Sequence, residues 1–316
     1  MSRRCSSHRF WRLSLIALIG AAFALFASAC GDDDDSSSDS GSGVDSNKPA
    51  VMIATQAFGE SEIAGQIYGQ ILEANGYAVT YQSFDDRSAI YTAMESDDAN
   101  FVPEYAATAL EFLNGNAKEA TPDIEVTMDA FQTQLESKGL VALEPSEAVD
   151  TNSFVVTEET ATSKSLEKIS DLTTDLKLGA PQDCPSNAAC IPGLQSAYGL
   201  DFTATYVPLD ASGPLTKEAL TNGDIDVAVI FSTDASIAVN GWKVLEDDKG
   251  SILLADNIVP VVTQELADDS ELVDLVNEAS AALTTENVTE MNKRYDIDKE
   301  DADVIATDFL EEHDLL

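Results

Sequence analysis

The sequence predicts an α/β protein built as two lobes with a cleft between them, and three observations predict it. Two stretches far apart in the chain share one design: 97–108, which reads DDANFVPEYAAT, and 222–234, which reads NGDIDVAVIFSTD. Each follows a helix-like run (89–94 and 215–220), then gives acidic turn residues, a short apolar strand and an abrupt polar and aromatic loop. In open α/β sheets ligands sit just beyond the carboxyl ends of strands, so two such ends describe loops facing one cleft and a protein that binds. The third observation is length: the roughly 270 residues that follow the N-terminal segment exceed one typical domain and suit two lobes.

The elements follow in order. Residues 51–55 form a first strand, and 60–75 an amphipathic helix with Ile63, Ile67, Ile71 and Leu72 on one stripe, stopped by Gly76. Residues 78–84 alternate as a second strand; 88–94 is helical and leads into the strand at Asn100. A helix over 129–138 ends at Gly139. Near Asn152-Ser153-Phe154-Val155-Val156 the chain changes lobes. A second α/β set follows: a helix from Leu166, a strand at 176–179, a cysteine loop, a helix at 192–198, a strand at 204–208, a helix from Leu215 and the strand ending at Phe231. Residues 257–262 read as a return strand, and helices at 270–283, 288–295 and 302–312 close the chain. Lobe 1 therefore comprises 48–153 and 257–316 and is interrupted by lobe 2, 154–256. Two crossings of this kind serve as a hinge for closure around a ligand.

Residues 1–29 read as a targeting segment, set aside from the fold. Arg3, Arg4, Arg9 and Arg12 precede an apolar run from Leu13 to Phe26, and small residues lead to Cys30. This resembles a bacterial lipoprotein signal, with cleavage before Cys30 and acylation of its thiol; Ala27 stands where leucine is usual. The run is shorter than the roughly 20 residues a spanning helix needs. Residues 30–47 contain almost nothing apolar and read as a flexible tether. The expected location is extracytoplasmic, lipid-anchored on the outer face of the cell membrane or in the periplasm.

The chain has 17 Lys and Arg against 57 Asp and Glu, a formal net charge of −40, and loss of the four signal arginines makes it more negative still. Such a surface excludes nucleic acid as a partner. It is soluble and self-repelling, and a saline habitat that screens the repulsion is the sharper reading. Of the four cysteines, Cys5 leaves with the signal and Cys30 carries lipid. Cys184 and Cys190 remain, in the run PQDCPSNAACIPG, and in an exported protein read as a disulfide that fixes a proline-rich loop. No zinc-ligand spacing accompanies them, and no cofactor is expected.

The runs ATQAFGE (54–60) before the Ile63 helix, Arg87 before a short helix, PEYAAT (103–108), the Cys184–Cys190 loop, GDIDV (223–227), FSTD (231–234) and ATDFLE (306–311) lie in one order along the chain. Together they resemble the glycine betaine/choline (osmoprotectant) substrate-binding proteins of ABC importers. The resemblance implies a two-lobed, type II periplasmic-binding-protein-like fold. It also implies a small-molecule solute, a partner permease with a separate ATPase, and a monomer that meets the membrane only through its lipid. The family holds a quaternary ammonium among aromatic rings, because a trimethylated cation has no N–H to donate and is drawn to ring faces. Carried over by position, Tyr105 is a cage ring, Thr108 a polar contact to a ligand carboxylate, Phe154 the second ring and Phe231 a third. The fourth position, near Asp256 and Asn257, has no aromatic. Gln56 stands where the family often has a lysine, and the cysteine loop lacks a basic residue, which weakens glycine betaine as the ligand.

Several roles stay open on the sequence. Arg87 either touches ligand or pairs with Asp85 and Asp86; Phe154 and Phe231 either face the cleft or fill the core. Asp234, with Thr233 beside it in the second jaw, either touches ligand or caps the helix beginning near Ala235. A carboxylate-dependent glycosidase using Glu60 and Glu104 is the enzyme alternative. His313 is the one histidine after the signal and lies in no motif, so histidine-based catalysis is excluded. The acidic run 296–301 lacks the glycine and closing glutamate of an EF-hand. Other binding readings are a different small polar solute, such as an amino acid, or a lobe that senses solute without transporting it.

Overall fold

The computed structural model describes residues 44–250 and 252–316. The signal segment and Cys30 lie outside the described residues, as does the tether before Val44. Among the described residues no helix is long and apolar enough to cross a membrane.

Among the described residues ten strands form two five-stranded sheets. The first holds β1 (Val51–Gln56), β2 (Val79–Phe84), β3 (Phe101–Tyr105), β4 (Leu140–Ala142) and β10 (Ile258–Thr263), in the order β2-β1-β3-β10-β4. The second holds β5 (Asn152–Val156), β6 (Leu178–Pro181), β7 (Tyr206–Leu209), β8 (Val227–Phe231) and β9 (Lys243–Val244), in the order β7-β6-β8-β5-β9. The plans match. In each sheet three strands run parallel (β2, β1, β3 and β7, β6, β8), and a strand from the other half of the chain pairs antiparallel beside the third. Helices cover both faces, which is why β8 and β10 read as almost unbroken apolar runs.

The helix Gly59–Ala74 lays Ile63, Ile67 and Ile71 against the first sheet, and Leu272, Val276, Ile305 and Phe309 of the C-terminal helices complete that core. Helices Arg87–Glu95, Ala106–Leu113 and Ile124–Glu136 cover the opposite face through Ile90, Leu110 and Phe131. In the second lobe the main core gathers Phe154, Val156, Leu178, Leu194, Phe202 and Val229.

Some expectations change. The loop expected after Tyr105 is a helix, Ala106–Leu113, which starts at once because Tyr105 itself is its extended N-terminal flank. The helix expected from Leu166 lies about two turns earlier, Glu158–Lys164: Thr157 accepts the Thr160 N–H at 3.1 Å as its cap, and Ser165 ends it at φ 57°. Only a short 3₁₀ turn, Ile169–Asp171, follows. The helix placed at 129–138 begins at Ile124, where Asp123 accepts from the N–H groups of Glu125 and Val126. Residues 191–198 are a short α-turn, Ile191–Gly193, running into a π-turn, Leu194–Tyr198.

Candidate functional site

The parallel strands of both sheets point their carboxyl ends into one cleft, and the antiparallel crossing strands bring their amino ends to it. The lining follows from that polarity. Gln56 ends β1 and Phe58 follows it, Arg87 follows β2, and Tyr105 and Thr108 end or follow β3. Asp183 follows β6, Ala211 follows β7, and Phe231 ends β8; Asp150 and Asn152 precede or open β5, and Asp256 precedes β10. The cleft holds about 160 Å³, a small-solute volume below the roughly 300 Å³ at which drug-sized pockets begin.

Three rings make its apolar wall. The Phe58 and Tyr105 centroids lie 6.0 Å apart at 29°, and those of Phe58 and Phe231 6.1 Å apart at 47°. Phe58 and Tyr105 belong to the first lobe and Phe231 to the second, so the wall is shared across the lobes. Phe58 is the ring that sequence reasoning leaves unassigned. It sits in extended backbone just before the helix Gly59–Ala74, and a Cβ at Gly59 would run into the Tyr295 ring at 2.4 Å. Its signal is an aromatic placed directly after a strand's carboxyl end. Phe154 is placed elsewhere: it is 1% exposed and packs with Leu178, Phe202 and Val229 inside the second lobe.

The polar side of the cleft is carboxylate-rich. Arg87 Nε donates to both Glu104 oxygens, at 3.0 and 3.1 Å, rather than meeting Asp85 or Asp86; the Asp86 carboxylate instead caps the helix through the Ala89 N–H at 2.9 Å. Burial works against the Arg87 charge, but Glu104 outweighs it and keeps the guanidinium firmly cationic. The Thr108 N–H donates to Asp256 Oδ1 at 2.8 Å, and the Thr108 hydroxyl makes a short bond to Asp256 Oδ2. Burial lifts the Asp256 carboxyl to about 6 despite the two Thr108 donors and Arg87. Burial, and then the Glu60 charge, raise Asp150 well above the usual carboxylate range. The buried Gln56 amide nitrogen has no hydrogen-bond partner within the protein.

Behind the rings, Glu60 ties the lobes together. It accepts from the Tyr105 hydroxyl at 2.8 Å, the Asn292 amide at 2.6 Å and, across the lobes, the Thr233 hydroxyl at 2.5 Å. Burial raises its carboxyl against the lowering pull of those three donors. Thr233 is therefore occupied behind the cleft rather than along its wall. Asp234 is held by the Ser212 hydroxyl at 2.7 Å and Lys217 at 2.7 Å, and accepts the Ser236 N–H at the start of the short helix Ser236–Val239. Asn257 donates its amide to the Ser146 carbonyl at 2.9 Å and does not line the cleft. Of the nine sequence-predicted ligand residues, Gln56, Arg87, Tyr105, Thr108 and Phe231 are brought together; Phe154, Thr233, Asp234 and Asn257 are not. Neither Glu60 nor Glu104 lines this cleft, so the carboxylate pair required by a glycosidase is not presented to it. Among the described residues no group of His, Cys, Asp and Glu is placed to hold a metal.

Cys184 and Cys190 are disulfide-bonded, with both cysteines, Asp183 and Asn187 on the cleft. Gly193 packs so closely under this loop that a Cβ there would sit 2.3 Å from the Ala188 carbonyl oxygen.

Comparison with known proteins gives one consistent picture. The family profile described as the substrate binding domain of ABC-type glycine betaine transport systems matches residues 49–312. The glycine-betaine-binding protein of Pseudomonas aeruginosa is 27% identical over 84% of this chain and 88% of its own. The carnitine transport binding protein of Listeria monocytogenes is 23% identical over 85% and 88%. Among solved structures, that of a glycine betaine/carnitine/choline ABC transporter superposes with a TM-score of 0.70 at 28% identity, covering 85% of this chain and 99% of that one.

Proposed function

Because the chain belongs to the family of substrate-binding domains of ABC-type glycine betaine transport systems, with the two-lobed type II fold of periplasmic binding proteins, we propose that it captures a small quaternary-ammonium solute between its lobes. The single observation that carries this reading is the wall of Phe58, Tyr105 and Phe231, drawn from both lobes and set beside carboxylates. Ring faces attract a methylated cation by about 0.5–2 kcal/mol per contact. Enclosure by both lobes removes the water that would otherwise compete.

Ligand joins the lobes, and the closed form docks on a permease driven by a separate ATPase. Because all of β5 pairs in the second sheet, the first crossing is set two residues before the 153/154 boundary expected from the sequence: lobe 1 spans 48–151 and 257–316 and lobe 2 spans 152–256. The protein performs no chemistry on its solute. It acts outside the cytoplasm, held by lipid on Cys30; a Cys30→Ser chain that still took up labelled fatty acid would sink that anchor.

Thermal-shift measurement with choline, glycine betaine, carnitine, proline betaine, ergothioneine and neutral amino acids tests the solute class. At least one quaternary amine raises the melting temperature while the amino acids leave it unchanged. Stabilisation by an amino acid alone would replace the reading, and no response to any quaternary amine would remove the aromatic cage.

A further inference from the structure

We infer that the cleft selects a quaternary amino alcohol, a cation bearing a hydroxyl and no carboxylate, and discriminates against betaines. The inference rests on the quaternary-ammonium reading above and deepens it.

A ligand carboxylate needs donors or an uncommitted cation, and the cleft offers few. Both donors of Thr108, its N–H and its hydroxyl, are taken by Asp256. Arg87 gives its Nε to both oxygens of Glu104, and its charge also faces Asp256, so this group of three is already net negative. The Asn187 amide donates to Asp183 at 3.0 Å. Asp150, Asp183 and Asp256 all line the cavity, and two of them are buried. A ligand carboxylate would thus add a like charge to a site lined by carboxylates, where the Thr108 and Asn187 donors and the Arg87 Nε are already engaged and the Arg87 Nη groups and the Gln56 amide stay uncommitted. Like charges brought this close inside a poorly solvated cavity repel strongly.

A hydroxyl meets the same wall differently. It donates to an aspartate and accepts from the Gln56 amide nitrogen, which is buried, lines the cleft and has no partner within the protein. A cation at the rings is at the same time drawn to Asp256 and to Asp183, which lines the same cavity. The charge and hydrogen-bonding demands of the cavity are met together by an ammonium with an alcohol arm. An ammonium with an acid arm can accept from Gln56 but donates nothing to an aspartate and sets its own negative charge among the carboxylates of the lining.

Calorimetric titration of the protein at pH 7.5 with choline and with glycine betaine tests this. Choline binds at least tenfold more tightly. Equal affinities, or tighter glycine betaine, would overturn the inference while leaving the quaternary-ammonium reading in place; binding of neither would overturn the inference, and the quaternary-ammonium reading with it if carnitine and proline betaine also fail to bind. In Asp256→Asn, choline binding weakens at least fivefold and the gap to glycine betaine narrows; an unchanged gap would overturn the role of Asp256.

A pH series on the unsubstituted protein serves should that variant not fold. The groups facing Asp256 are Thr108 and Arg87 from the first lobe, Glu104 behind Arg87, and Asp150 on the neighbouring crossing. Choline affinity falls from pH 7.5 to pH 5 as the carboxylates gain protons, and glycine betaine affinity does not fall in parallel. A choline affinity flat across that range would sink the inference.

Discussion

At the scale of single residues, two phenylalanines have opposite jobs. Phe58 is half-buried on the cleft wall, and Phe154 is sealed in the second lobe's core. Phe58→Ala should weaken ligand binding at least tenfold with a small loss of stability, because it removes a ring face from the cation. Phe154→Ala should cost about 3–5 kcal/mol of stability through its cavity and leave the affinity of the folded fraction nearly unchanged. Paired denaturation and titration of both variants separate the two; equal effects on binding would merge the roles. Asp256 carries a sign that stability data can read. Its carboxyl is raised from 3.8 to about 6 by burial, so the folded state holds the proton more tightly than the unfolded chain. That contribution is fully present below about pH 4 and is lost as pH rises through about 6. Asp256→Asn should therefore show a shallower fall in ligand-free stability between pH 4 and 6.5 than the parent, and parallel curves would count against the shift.

At the scale of elements, the disulfide loop is worth more to the site than to the fold. The ring it closes is short, so chain entropy contributes only about 2 kcal/mol, yet both cysteines, Asp183 and Asn187 line the cleft. A Cys184→Ser/Cys190→Ser chain should keep its fold, lose about that much stability and bind at least fivefold more weakly, as titration against denaturation would report. What the sequence reveals of such elements depends on whether it repeats. The Ile63, Ile67, Ile71 stripe specifies the helix Gly59–Ala74 almost to the residue, because three turns carry one apolar face. The helix Ala106–Leu113 hides behind Glu104, Tyr105 and Thr108, whose polar groups serve the cleft and its buried neighbours and interrupt the apolar signal. Jaw residues at strand ends, such as Tyr105 and Phe231, are legible because strand polarity places them. Phe58 and Phe154 are not. A loop has no period, and a lone aromatic near a strand's start carries no mark of the face it will take. Asp256 escapes for a different reason: its partner Thr108 lies far along the chain, and only the fold brings them within hydrogen-bonding distance.

At the scale of the whole molecule, a formal charge of −40 repels itself across the surface. Salt at about 1 M shortens the screening length to about 3 Å from about 8 Å at 0.15 M. The melting temperature should accordingly climb as sodium chloride is raised over that range, and a flat response would argue against adaptation to brine. The crossings between the lobes have a consequence of another kind. The Asp150 N–H donates to the Asp256 carbonyl at 3.0 Å, and Val149 bridges Asn257, so the chain leaves the first lobe and rejoins it at neighbouring points. Every strand of the second sheet lies between those points, and no strand is shared. A segment whose ends already meet behaves as a detachable part. Residues 151–255 should fold cooperatively when expressed alone, and a featureless denaturation curve would show that they do not. If they do, the lobe carrying Phe231 and the cysteine loop becomes an exchangeable cassette, through which one half of the recognition surface can be rebuilt while the other stays untouched.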